Sequence, residues 1–154
     1  MKPRSAALIL PLALLASGCA EGGEGPVPPH SILGACLHVD AAQEQVFRTA
    51  PDWERFYADH TAGGTAPAVD FGRSVLAAHF DGTGSACVGY TVESVEIRDG
   101  EVTIDATRHT SPEPCVDVVA YPQLLVVVEI RDRPVVFRIR SVSGPPPPTH
   151  TPCL

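Results

Sequence analysis

The chain has 154 residues, 44% of them hydrophobic, with a formal net charge of −7 at pH 7. That length suits a single domain once the terminal segments are set aside, and the acidic balance disfavours nucleic acid and anionic lipid surfaces as partners. Lys2 is the single lysine, so a chain that loses its N-terminal segment has no amine for a Schiff base and none for a phosphate-binding loop.

Lys2 and Arg4 precede an apolar run from Ala6 to Ala16 that is too short to span a bilayer, which is the pattern of a secretory signal. The run ends in Ala16-Ser17-Gly18-Cys19, which resembles a bacterial lipobox with Ala16 where leucine is usual. Residues 1–18 are therefore expected to be removed and Cys19 acylated. The expected destination is a bacterial membrane. Ala20 stands where aspartate is associated with inner-membrane retention, so an outer-membrane or cell-surface location facing periplasm or exterior is expected. Residues 19–30 are rich in Gly and Pro and read as a flexible tether. Past the signal, nine basic side chains face eighteen acidic ones.

With Cys19 assigned to lipid, Cys36, Cys87, Cys115 and Cys153 remain, an even number in an exported domain, and this points to two disulfides. Four cysteines allow three pairings. The nested one, Cys36 with Cys153 and Cys87 with Cys115, suits their places near the ends and around the middle of the domain. Their spacing is too wide for a zinc knuckle.

Thr49-Ala50-Pro51-Asp52 has the form of a helix start, and Trp53, Phe56, Tyr57 and His60 follow at helical spacing until Gly63-Gly64. One short amphipathic helix with an aromatic core face is predicted. Ser74 to Phe80 reads as a buried strand, broken by Asp81-Gly82-Thr83-Gly84. Between Tyr90 and Arg98 the apolar phase changes, which calls for a bulge near Glu93-Ser94. Asp99-Gly100 then supplies a two-residue type I′ turn. This register sets Ile97 opposite Val102 and Val95 opposite Ile104. Ser111 to Cys115 is read as a loop and Leu124 to Ile130 as an aliphatic run. Arg131-Asp132-Arg133-Pro134 is read as a turn into Val135–Arg140, where Val135, Phe137 and Ile139 alternate with Val136, Arg138 and Arg140. Residues 143–154 form a proline-rich tail unsuited to a sheet. The expected fold is α+β over residues 31–142, mainly an antiparallel β-sheet of about six strands with one short helix.

Catalytic motifs are weak. Gly82-Thr83-Gly84 follows a strand, but Cys87 occupies the third glycine position of a dinucleotide loop and no helix follows. Ser85 lacks the glycine two residues before it that a nucleophile elbow needs. The six histidines, His30, His38, His60, His79, His109 and His150, form no zincin pair. His38 with Asp40, and His79 with Asp81, place two ligand types on one side of a strand, which keeps a metal or small-ligand protein as the alternative reading. A hydrolase pairing Cys87 with His109 or His79 is a third. The expectation is a protein with no catalytic residues, no cofactor and no bound metal.

Trp53 in its helix, Val69-Asp70-Phe71, the strand Ser74 to Phe80, a glycine-containing loop and Gly89-Tyr90 together resemble the PrcB-like carboxy-terminal domain. The resemblance covers roughly Gln45 to Ile139. Pro122 matches the family's proline before its penultimate strand, whereas Val88, after Cys87, replaces a glycine usual before the Gly-Tyr pair. The family contains small bacterial lipoproteins and is named for a component that stabilises a surface protease complex. The resemblance implies protein binding, with an envelope protein such as a protease as partner. The loop residues Gly82, Thr83, Gly84, Ser85, Gly89 and Tyr90 are the expected contacts.

Overall fold

The computed structural model describes residues 28–112 and 118–145. The signal, most of the tether, Cys115 and most of the tail with Cys153 lie outside them. The described chain forms β1 (His30–Ile32), β2 (Gln43–Phe47), α1 (Ala50–Asp59), β3 (Val75–Phe80), β4 (Gly84–Ser85), β5 (Val88–Arg98), β6 (Glu101–Thr110), β7 (Val119–Ala120), β8 (Gln123–Val128) and β9 (Val135–Ser143). The fold is α+β and mainly antiparallel, as expected, with more strands than anticipated.

The centre is a four-stranded antiparallel sheet ordered β1-β8-β3-β2. Its strands β3 and β8 are apolar in both phases because both faces are covered. Val75, Ala77, Leu124, Val126 and Val128 pack toward a second sheet, while Leu76, Ala78, Phe80 and Leu125 pack toward the helix. That second sheet, β5-β6-β9, supplies Tyr90, Val95, Val102, Ile104 and Ala106 to the shared core. Its β6–β9 pairing is parallel, the exception in an otherwise antiparallel structure. The result is three layers: helix, central sheet, outer sheet.

α1 begins as its sequence requires. Thr49 has an extended backbone, and its hydroxyl oxygen accepts from the Asp52 amide at 3.3 Å while donating to the Asp52 carboxylate at 2.6 Å. Trp53 is buried, its indole donates to the Pro67 carbonyl at 3.0 Å, and Phe47, Trp53, Phe56 and Phe80 form one aromatic cluster. The β5–β6 hairpin has the expected register, with Ile97 opposite Val102, Val95 opposite Ile104, and a shift between Val92 and Ser94. Asp99 and Gly100 both take positive φ, 49° and 87°.

Several boundaries differ. β1 starts at His30, inside the expected tether, and β9 runs through Ser143, past the expected domain end. The residues His38 to Asp40 are not a strand. Leu37 and Val39 are nonetheless buried under the central sheet, which produces strand-like alternation without pairing. Gly84-Ser85 is not merely a break, because it pairs with Val119-Ala120 in a small ribbon. No described helix is long and apolar enough to cross a membrane.

Gly82 closes the turn after β3 with φ +80°, and a Cβ there would lie 2.8 Å from the Asp40 carbonyl oxygen and 2.9 Å from the Ala42 nitrogen. Gly100, at φ +87°, faces open space. Gly100→Ala should therefore cost only about 1 kcal/mol, the left-handed penalty, and Gly82→Ala about 2–3 kcal/mol because backbone must also move. Comparing the two thermal midpoints tests this; equal losses would show that the Asp40–Ala42 backbone yields freely.

Candidate functional site

Two polar assemblies stand out, one between the sheets and one on the outer face. The first is built on His79, whose strand phase turns it toward the outer sheet at the rim of the core. Its Nδ1 meets Glu44 of β2 at 3.0 Å and its Nε2 meets Asp81 at 3.2 Å. Only a doubly protonated ring donates at both ends. Burial alone would lower the His79 pKa, but the hydrogen bonds and charges of Asp81 and Glu44 outweigh it and raise the ring above its ordinary 6.5.

Asp81 also accepts from the Arg108 guanidinium of β6 at 2.6 Å, and Arg108 reaches Thr110 at 2.8 Å. Burial opposes ionisation of Asp81, yet the hydrogen bonds from His79 and Arg108 hold its carboxyl well below the usual carboxylate range. The Tyr90 hydroxyl lies buried beside this pair without a hydrogen-bond partner among the described residues. Burial and the adjacent carboxylate push its pKa far up. The chain Glu44–His79–Asp81–Arg108 thus ties the central sheet to the outer one. It is a brace, with both ring nitrogens of His79 and both carboxylate oxygens of Asp81 engaged by protein.

The second assembly covers the solvent face of β5-β6-β9. Thr107 is the hub: its hydroxyl donates to Glu93 at 2.7 Å and accepts from Arg140 Nε at 2.7 Å. Thr107 first, and Arg140 with it, hold the Glu93 carboxyl below its ordinary range. Asp105 pairs with Arg98 at 3.1 Å and accepts from Ser94 at 3.3 Å. Glu93, Asp105, Ala106, Arg138, Ile139 and Arg140 line an open groove of about 450 Å³. Arg138 is exposed and has no partner among the described residues.

The expected contact loop is divided by this fold. Thr83, Gly84 and Ser85 are exposed, but Gly82, Gly89 and Tyr90 are buried. Gly82 is packed against the segment before β2, Tyr90 follows Val88 on the core face of β5, and Gly89 between them is buried, so these three offer little surface. His38 stacks on Tyr121 with ring centroids 4.7 Å apart, and its backbone exchanges hydrogen bonds with His60. Among the described residues no three His, Cys, Asp or Glu side chains are placed to hold a metal ion. Cys36 and Cys87 are each disulfide-bonded, which removes Cys87 as a thiolate nucleophile; Cys115 and Cys153 lie outside the described residues. Sequence reading singled out His79 and Asp81 but not Arg108 or Glu44, and it missed the groove. The alternation of Arg138 and Arg140 with Phe137 and Ile139 was its available signal.

The chain matches no known protein family, no curated protein and no solved structure.

Stability should follow the brace. The raised His79 pKa contributes stability that is complete below the ordinary 6.5 and is lost as pH rises through the native value. The depressed Asp81 pKa contributes stability that is present above the ordinary 3.8 and is lost as pH falls through the native value. Both act between those limits. His79→Gln should lower the thermal midpoint more at about pH 5 than at about pH 9, and Asp81→Asn should cost about 1–3 kcal/mol by leaving Arg108 unpaired. A His79→Gln loss independent of pH would show that the ring is not an imidazolium in the native state.

Proposed function

We propose that the chain is an exported, lipid-anchored, non-enzymatic domain that binds or stabilises another envelope protein, with a protease among the candidate partners. The observation that carries this reading is the groove over the β5-β6-β9 face: it is open and lined by both charge signs, which suits an extended polypeptide better than an enclosed small molecule. The brace supports it indirectly, because His79, Asp81 and Arg108 are engaged in holding the two sheets together. The resemblance to the PrcB-like domain and the lipobox at Cys19 point the same way.

In this reading Cys19 anchors the chain, residues 19–30 set its distance from the membrane, and disulfides harden the domain for an oxidising compartment. The proposed pairing is Cys36 with Cys153 and Cys87 with Cys115. Intact mass of the membrane-extracted protein should show an acylated Cys19, with four further cysteines alkylated only after reduction. Free thiols without reduction would remove the compartment from the reading.

Binding is tested by photo-crosslinking in intact cells. A crosslinker replacing Asp105 or Arg138 should give a discrete adduct with an envelope protein, while one at Glu54, exposed on α1, should not. No adduct from either groove position would count decisively against a protein partner at this face.

A further inference from the structure

The outer sheet ends in β9, and the phase of its pairing leaves a specific row of backbone groups open. Val102 N–H donates to the Pro134 carbonyl at 2.8 Å and Gly144 N–H donates to the Thr110 carbonyl at 2.9 Å, one bond at each end of the parallel β6–β9 ladder. Both assign the even-numbered residues of β9 to β6. Val135, Phe137, Ile139, Ser141 and Ser143 therefore turn their N–H and C=O groups to the other side, where no strand lies among the described residues. These five positions make the open edge of a nine-residue strand.

The side chains along that edge alternate in a way that specifies an occupant. Val135, Phe137 and Ile139 pack on the core but stay half-buried, so their outer flanks await cover. Arg138 and Arg140 stand on the opposite face, beside the groove, and Arg138 is unpartnered among the described residues. Four of the ten arginines, Arg131, Arg133, Arg138 and Arg140, fall in this short stretch of an acidic chain. A second copy of β9 would bring a second Arg138 and Arg140 onto the same face, and like charges across a strand pair repel.

We propose that the edge of β9 accepts an extended segment of a partner protein as an added strand, with apolar residues beside Val135, Phe137 and Ile139 and acidic residues at alternate positions beside Arg138 and Arg140. This rests on the protein-binding reading above and names the surface and the sequence chemistry of the partner. Main-chain hydrogen bonds supply the affinity, and the alternation supplies the selectivity.

The test uses the full detergent-solubilised chain and an acetylated, amidated peptide alternating valine and glutamate, with a valine–lysine peptide as control. Amide NMR should show the glutamate peptide shifting Val135, Phe137, Ile139 and Ser141, and the lysine peptide leaving them unchanged. Arg138→Glu should weaken binding about fivefold by making an opposite-charge cross-strand pair a like-charge one. Ser141→Pro removes an outward N–H without touching the β6 ladder and should weaken it as well. Unshifted edge amides at saturation, equal binding of both peptides, or binding undiminished in both variants would overturn the proposal. So would a concentration-dependent dimer broken by Arg138→Glu, which would assign the edge to a second copy. If groove crosslinks to an envelope protein persist unchanged in Ser141→Pro while the peptide does not bind, the edge proposal fails and the protein-binding reading stands. If the peptide binds at β9 but no crosslink forms, the edge accepts strands of this chemistry and the reading that the groove meets an envelope protein fails.

Discussion

Everything in this structure follows from burying the central strands on both sides. β3 and β8 pair with each other and carry apolar side chains in both phases, so neither face can meet water. One face needs the helix with its aromatic stripe; the other needs a complete second sheet. At about 25 cal/mol per Å² of apolar surface buried, two covered faces give a small domain a core that one face could not. The cost falls at the rim, where strand alternation carries His79 between the layers next to Tyr90 and Phe137. A polar ring there must be satisfied or expelled. Glu44 and Asp81 satisfy it, Arg108 in turn pairs with Asp81, and together they join β2, the turn after β3 and β6 through charge-assisted bonds.

How legible each part was in the sequence depended on the range of the forces that make it. The β5–β6 hairpin could be read residue by residue, bulge included, because Asp99-Gly100 adopts its positive φ values from local preference and the register follows from the turn. The helix start was equally local: one threonine, one proline and one aspartate. By contrast β1 has three exposed residues, and β2 buries only Phe47 fully, so neither carries an alternation that marks a strand. They exist because β8 and β3 offer edges to pair with. The parallel β6–β9 ladder was invisible for the same reason, since nothing in either segment states its direction.

The polar assemblies were legible only in fragments. His79 and Asp81 lie two residues apart and suggested a ligand pair, but Glu44 is 35 residues from His79 and Arg108 is 27 from Asp81. Those separations are closed by the sheets, and they convert an apparent metal motif into a brace between layers. The Gly82–Tyr90 loop shows the opposite error. Glycine and tyrosine suggested an exposed contact surface, whereas Gly82 is small where backbone packs closely, Gly89 is buried and Tyr90 belongs to the core.

The same geometry decides where recognition can occur. Among the described residues, a three-layer domain with its central sheet enclosed leaves the solvent face of α1, the solvent face of the outer sheet, the sheet edges and exposed segments such as residues 83–85 for contact. Along β5 the bulge at Val92 and Ser94 disturbs a regular ladder, which blunts that edge. On β9 the backbone is regular, and the defence is electrostatic, from Arg138 and Arg140. A charge defends against another copy of itself and against apolar strands, but to a strand carrying carboxylates at alternate positions it is an attraction. Under the strand-addition proposal, the charge that opposes pairing with a second copy is therefore also the one that selects what the edge accepts.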